Sequence, residues 1–344
     1  MASRDVVVIG ASAGGIEALR AVVGAFPAGL PAAVLVVLHI PRSSPSALPR
    51  ILDRSGALPA SHAVNGEPLR HGRIYVAPAD HHLLVRDGSI GLSRGPTENG
   101  HRPAVDPLFR SAARAYGPRV VGVVLSGARD DGTAGLATVR ARGGVTVVQE
   151  PDEALHPSMP RSAIEHDAVD HVLPAANIGT LIATLAGEHT AEDGFKPDPQ
   201  LDEEAAMAEM SADPTPDYLT NPAGFGCPTC NGSLFALGGD PVPRYRCRIG
   251  HAWSPESLLD EHAATFEGAL WMALRSLEEK GALAARMAAA ARGRRNNGAA
   301  ARYETTATEA ETAAGLIRRL IRQMDAGAAA PDHDQAPDQA RAKA

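Results

Sequence analysis

The hydroxyl of Ser12 stands alone in a turn of small residues, GASAGG (10–15), directly after the aliphatic run VVVIG (6–10). An imidazole, His39, closes a second aliphatic run, AVLVVLH (33–39), and two carboxylates, Asp130 and Asp131, follow a third, VVGVVLSG (120–127). A serine hydroxyl becomes an effective nucleophile when a base takes its proton, and a carboxylate behind the base orients it and stabilises its cationic form. These three residue types together make an acyl-transfer set. A second group is sulfur-rich: Cys227-Pro-Thr-Cys230, sixteen further residues, then Cys247-Arg-Ile-Gly-His251. Three thiolates and one imidazole at these spacings suit a tetrahedral zinc ion. Four protein ligands leave no open coordination position, so such a zinc would be structural and would stabilise a fragment too small to build its own core. His262 is an alternative fourth ligand. The chain's three cysteines all fall in this window, an odd number that makes a poor disulfide framework.

For the acyl-transfer set to assemble, the aliphatic runs must bring their ends together. These runs, with IYVAP (74–78) and VTVVQ (145–149), are continuous rather than alternating, as strands covered on both faces are. Helix-compatible stretches separate them, the pattern of βαβ units and of a doubly wound, mostly parallel α/β sheet with flanking helices. In such a sheet the carboxyl ends of the strands share one edge, where Ser12, His39 and Asp130-Asp131 all arrive. Blander readings compete residue by residue. Ser12 suits the N-cap of the following helix, IEALRAVVGAF (16–26); His39 alone is compatible with an edge histidine, and Asp131 with a turn before Gly132. A dinucleotide fingerprint fits poorly, because it needs a glycine where Ser12 stands and an acidic residue where His39 stands.

Residues 1–187 carry this α/β pattern. Between Glu188 and Asp217 there are ten acidic residues against one lysine, so residues 188–223 read as an acidic linker that cannot bury enough apolar surface to offset its ordering entropy. Residues 224–253 form the zinc-ribbon-like module. Ser254-Pro255 then supplies an N-cap hydroxyl and a proline at the first helical position. Leu259, Ala263, Phe266, Leu270, Leu274 and Leu277 follow as one apolar stripe. A break at RGRRNNG (292–298) precedes a second helix-like run, so residues 254–325 read as a helical hairpin. Residues 326–344 are low in complexity and read as a disordered tail. The formal net charge of −7 gives no reason to expect nucleic acid as a partner. No signal-peptide pattern opens the sequence, and no window approaches the roughly 20 apolar residues of a membrane span, so a cytoplasmic protein is expected.

In order and spacing, GASAGG (10–15), LHIP (38–41), HRPAVDPLF (101–109), LSGARDDGTAG (125–135) and SMPRSAI (158–164) resemble the catalytic domain of the bacterial chemotaxis protein-glutamate methylesterases (CheB type). The resemblance covers about residues 5–187. It implies hydrolysis of γ-glutamyl methyl esters on chemoreceptor helices with release of methanol, and in some members deamidation of glutamine. It implies Ser12 as nucleophile, His39 as base and Asp131, in preference to Asp130, as the acid, with no cofactor for catalysis. The implied partner is a methylated chemoreceptor or chemoreceptor-like protein, which would place the enzyme at receptor clusters on the inner face of the membrane. The backbone N–H groups of Ala13 and Ala128 are expected to hold the oxyanion, and Arg102 and Arg129 to dock an acidic receptor segment. Ala13 stands where the family often has Thr, and Ala128-Arg129 where Met-Gly is common. Family members usually carry a phosphorylatable receiver ahead of the esterase, whereas this sequence begins at the esterase's first strand, so control by an attached receiver is not expected. The zinc and helical modules would bind a receptor, a methyltransferase or another signalling protein. A catalytically degenerate adaptor acting through those modules is the competing reading.

Overall fold

The computed structural model describes residues 2–190, 198–210, 221–237 and 242–328. The chain divides into two units, Met1–Glu261 and His262–Ala344. The first unit opens with β1 (Ala2–Ser3), β2 (Val6–Ala11), α1 (Gly15–Gly24), β3 (Ala33–Leu38), α2 (Leu48–Ser55), β4 (Ala60–His62) and β5 (Arg73–Val76). A hairpin of β6 (His82–Arg86) and β7 (Ser89–Ser93) leads to α3 (Val105–Tyr116), β8 (Val120–Val124) and α4 (Thr133–Ala141). The α/β region closes with β9 (Val145–Gln149), α5 (Ser158–Glu165), β10 (His171–Leu173), α6 (Ala175–Leu185) and β11 (His189–Thr190).

Seven of these strands form one sheet in the order β10-β9-β8-β2-β3-β5-β4, and every pairing in it is parallel. The aliphatic runs are continuous because the sheet is covered twice. Val6 and Val8 pack with Val105, Leu108 and Phe109 of α3 and with Leu136 of α4, whereas Val7 and Ile9 pack with Leu19 and Val22 of α1 and Ile178 and Ile182 of α6. Successive side chains of a strand point to opposite faces, so a sheet buried on both sides needs apolar residues at every position. Gly10 ends the first run for a steric reason: a Cβ there would lie 2.3 Å from Val105 Cγ1, so only glycine lets α3 settle on β2.

The stretch read as an acidic linker is ordered where it is described. His189–Thr190 pairs antiparallel with β1, and α7 (Pro199–Ala208) begins at Asp198, whose carboxylate accepts from Leu201 N. Leu201, Ala205, Met207 and Ala208 are buried, and so is Glu204. Composition misleads here because Glu204 is neutralised by guanidinium groups rather than solvated. Its carboxylate meets Arg110 from α3 together with Arg244 and Arg246, which lie on β14 (Arg244–Cys247). Glu98 meets Arg110 and Arg246 in the same cluster. Burial alone would raise the carboxyl of Glu204, but the charges of Arg244, Arg110 and Arg246 hold it well below the usual carboxylate range.

The Cys-rich region is an antiparallel sheet of β12 (Pro222–Gly226), β13 (Ser233–Leu237), β14 and β15 (Ala252–Trp253). Beyond it run α8 (Pro255–Gly293), which crosses the unit boundary, and α9 (Asn297–Ala328). In the second unit Leu270, Leu274 and Leu277 pack with Ala314, Ile317 and Ile321, with ion pairs Glu278–Arg318 and Arg292–Glu304. The expected apolar stripe is shorter than its spacing suggested, because Leu259 and Phe266 are exposed. The ion pairs set an antiparallel register in which the partner of Phe266 would fall at or beyond the end of α9. The tail from residue 329 lies outside the described residues.

Removing one member of a buried ionic cluster leaves the others uncompensated, at a cost of roughly 3–5 kcal/mol. Glu204→Ala is expected to lower stability by about that amount, while Asp202→Ala, on the same helix but half exposed beside Arg114, costs under about 1 kcal/mol. Urea unfolding of both variants beside the wild type measures the difference.

Candidate active site

The turn after β2 is held at both ends by backbone bonds: Ser12 N donates to Ser126 O (2.9 Å) and Gly15 N donates to Ser12 O (3.0 Å). The N-cap of α1 is Gly14, at φ 70°, with no side-chain cap bond. Ser12 is therefore not the helix cap its type suggested, because the left-handed turn carries the chain two residues further before the helix starts. A Cβ on Gly14 would stand 2.7 Å from both Leu155 Cβ and Ser126 Oγ, and one on Gly127 would stand 2.8 Å from Ser12 Cβ. Two glycines thus let the loop after β8 close on the half-buried Ser12.

His39 follows β3 directly, its N–H donating to Ala11 O (3.0 Å). Its Nε2 lies 2.7 Å from Asp131 Oδ2. A carboxylate only accepts, so Nε2 carries the proton and Nδ1 is left with its lone pair. Nδ1 is buried and has no hydrogen-bond partner among the described residues. Asp131 also accepts from Val105 N (2.7 Å) and Asp106 N (3.3 Å) in the first turn of α3, and from Asn99 Nδ2 (3.1 Å). Burial would raise its carboxyl, but the hydrogen bonds it accepts from the His39 ring and Val105 N hold it well below the usual range. Asp106 goes the other way: burial and the facing Asp131 push its carboxyl up to about 7. Its Oδ1 accepts from Gly132 N (3.1 Å) and Gly135 N (2.7 Å) at the start of α4.

Asp130 takes a separate direction, its Oδ1 accepting from the hydroxyls of Ser254 (2.8 Å) and Ser257 (2.6 Å). Of the two adjacent carboxylates, Asp131 is the one that reaches the ring. The His39 ring is stacked on His101, centroids 3.7 Å apart and planes within 10°. Burial and the neighbouring His39 push His101 down to about 4.

Ser12, Ala13, His39, Arg42, His101 and Arg102 line one cleft of about 620 Å³. The two arginines expected to dock substrate have internal partners. Arg102 donates to Asp80 Oδ1 from Nε (2.9 Å) and Nη2 (2.6 Å) and to the carbonyls of Arg94 and Gly95. Arg129, held at φ 64°, pairs with Asp260 and Glu261. Arg42 is exposed at the cleft and makes no ion pair among the described residues. Neither Ala13 N nor Ala128 N donates to another backbone group among the loop bonds of the described residues.

In the Cys-rich sheet, one ligand atom from each of Cys227, Cys230, Cys247 and His251 falls within 4.8 Å of the others. The set is complete without His262. Asn231 N donates to Cys227 O (2.8 Å) and Gly250 N to Cys247 O (2.9 Å), which closes the two turns that carry the sulfurs. Gly250 sits at φ 105°, where a side chain would be strained.

The profile of the CheB methylesterase family matches residues 7–182, just over half of the chain. The chain belongs to the CheB methylesterase family. It is 42% identical over 181 residues to a protein-glutamate methylesterase/protein-glutamine glutaminase of Anaeromyxobacter dehalogenans, covering 53% of each chain. It is 39% identical over 190 residues to one from Caulobacter vibrioides, covering 54% of this chain and 55% of that one. The chain thus spans about half the length of these two relatives. The CheB methylesterase catalytic domain of Thermotoga maritima has a similar solved structure, at 33% identity and a TM-score of 0.51 over 54% of this chain and 100% of that one.

Three residues at this CheB-family site carry no chemistry that the sequence reading singled out: His101, Asn99 and Arg42. His101 lies in HRPAVDPLF, but nothing in the spacing signals a ring stacked on His39. Because the folded state disfavours charged His101, the unfolded chain binds that proton more tightly, and this contribution to stability is complete above about pH 6.5 and is lost as pH falls toward 4. His101→Phe, which keeps a stacked ring without a titrating group, is expected to flatten that acid-side decline by roughly 3 kcal/mol between pH 7 and 4. Stability measured by urea unfolding at several pH values checks it.

Proposed function

We propose that this protein is a protein-glutamate methylesterase with a Ser12–His39–Asp131 mechanism, acting on methylated chemoreceptors or chemoreceptor-like proteins. The observation that carries this reading is the His39 Nε2–Asp131 bond with Nδ1 unpartnered at a cleft lined by Ser12. His39 Nδ1 takes the Ser12 proton as Oγ attacks the ester carbonyl, and Asp131 stabilises the imidazolium that results. The tetrahedral oxyanion is met by the N–H groups of Ala13 and Ala128 and by the N-terminus of α1. His39 returns the proton to the departing methanol, and water, activated by the same base, releases the glutamate. With glutamine as substrate the leaving group is ammonia and the residues are the same. None of these steps calls on a cofactor. No described helix is long and apolar enough to cross a membrane, which fits an enzyme working on the cytoplasmic segments of receptors.

With Arg102 and Arg129 paired internally, we assign the docking of an acidic receptor segment to Arg42. Cys227, Cys230, Cys247 and His251 would hold a zinc ion, which would knit β12–β15 together as a structural element.

Receptor membranes carrying labelled methyl groups test the reaction. Ser12→Ala is expected to cut methanol release by at least about 10³-fold with an unchanged melting temperature. Full release by that variant would overturn the mechanism; no release even by the wild type, with signalling lost in Cys227→Ser and kept in Ser12→Ala, would mark a catalytically degenerate adaptor instead. Arg42→Ala is expected to raise KM several-fold with kcat near wild type. Metal analysis is expected to find one zinc per chain, lost in Cys227→Ser.

A further inference from the structure

The Cys-rich module does not hang free of the α/β region. Ala252 N donates to Thr97 O (3.2 Å) and Asn99 N donates to Ala252 O (2.9 Å), so β15 pairs with the segment that precedes α3. Arg246 of β14 is anchored to Glu98 in the buried ionic cluster. One residue past β15, Ser254 does three things at once. Its Oγ accepts from Ser257 N (3.1 Å), capping α8. The same hydroxyl donates its proton to Asp130 Oδ1 (2.8 Å). Its backbone N–H donates to Asn99 Oδ1 (2.9 Å).

Asn99 carries the contact inward. Its amide donates to Asp131 Oδ1 (3.1 Å) and to Asp106 Oδ2 (3.3 Å), and every group in this path is buried. Asn99 sits at φ 51° and Arg129 at φ 64°. Left-handed conformations are disfavoured for side-chain-bearing residues, least for asparagine, and persist where neighbours enforce them. The neighbours here are Ala252 and Ser254 for Asn99, and Asp260 and Glu261 for Arg129. Asp130, adjacent to Asp131, is in turn tied down by the two serine hydroxyls of the α8 start. Both flanks of the Asp131 loop are therefore held by residues 252–261.

We propose that Ser254 and Asn99 are positioning residues for the esterase reaction: the C-terminal module orients the Asp131 carboxylate against His39 through Ser254 N–H, Asn99 and the Asp130 clamp. The inference rests on the esterase reading given above. It makes residues far beyond the family-matched segment part of what sets the geometry of the base. Cys247 and His251, the last two sulfur and imidazole ligands, stand seven and three residues before Ser254, so a metal there would brace the same strand end.

The test uses the full chain. Ser254→Ala removes the clamp hydroxyl, Ser254→Thr restores it, and Asn99→Ala removes the amide on Asp131. Ser254→Ala is expected to lower kcat about tenfold with KM within about twofold, and Ser254→Thr to recover most of it. Asn99→Ala takes a hydrogen bond from the charged form of Asp131, which makes that carboxylate more basic and raises the apparent pKa of His39 in the kcat/KM profile. Wild-type kcat in Ser254→Ala and Asn99→Ala would overturn the proposal. So would losses that track the folded fraction while the pH profile stays in place, the mark of a merely structural role.

A second readout separates this inference from the esterase reading. The downfield proton resonance of the His39 ring N–H bonded to Asp131, and the His39 titration midpoint, are followed by NMR in the same variants. If they shift while even the wild type releases no methanol, the esterase reading fails and the positioning stands. If methanol is released and the resonance is unmoved in both variants, the positioning alone fails.

Discussion

A carboxylate taken out of water holds its charge only if donors replace the water it lost, and Asp131, 1% exposed, is the group whose charge the rest of this architecture supports. It receives His39 Nε2–H, two backbone N–H groups from the first turn of α3 and the amide of Asn99. The arrangement is reciprocal: Asp131, just ahead of α4, caps α3, while Asp106, at the start of α3, caps α4. Each helix dipole thus meets a carboxylate delivered from the start of the other helix, and the two helices are fixed end to end at the place where His39 is held. Close packing behind the caps depends on Gly135, where a Cβ would lie 2.6 Å from Phe109 Cβ.

Four acidic side chains crowd this region, and their surroundings divide them. Asp131 is held ionised by the hydrogen bonds it accepts from His39 and Val105, whereas burial pushes Asp130 up against the two serine hydroxyls that donate to it. Asp106 is raised by burial and by facing Asp131. Glu98, desolvated but beside Arg110 and Arg246, stays low. The outcome is one firmly charged acceptor for the imidazole, with the competing carboxylates engaged elsewhere. The stacked His101 adds a ring that burial keeps neutral near pH 7, so it shields His39 without placing a second cation beside it.

The same logic ties the Cys-rich sheet to the α/β region. The join between them is built from buried charge, Glu98 and Glu204 against Arg110, Arg244 and Arg246. Such clusters add less stability than an apolar interface of equal size, but they tolerate little misplacement. A geometry-sensitive join suits a contact that reaches the Asp131 carboxylate through Asn99.

The parallel sheet and the rim it creates were legible in the sequence, because runs such as VVVIG and VVGVVLSG are short, rich in valine and bounded by turn residues, as strands covered on both faces are, and strand ends in such a sheet meet at one edge. Ser12, His39 and the pair Asp130-Asp131, and the Cys227–His251 cluster, stand out by residue type and spacing, and only the family resemblance preferred Asp131 of the pair. Other features depend on long-range packing that local pattern does not encode. The cap of α1 falls on Gly14 rather than Ser12 because the loop after β8 presses on the turn. Acidic residues around 204 read as solvated until three arginines from distant segments close on Glu204. Arg102 and Arg129 looked available for substrate until Asp80, Asp260 and Glu261 arrived beside them. The choice between Asp130 and Asp131 is of the same kind: adjacent residues of one type are indistinguishable locally, and only the folded surroundings give one a histidine and the other two serines.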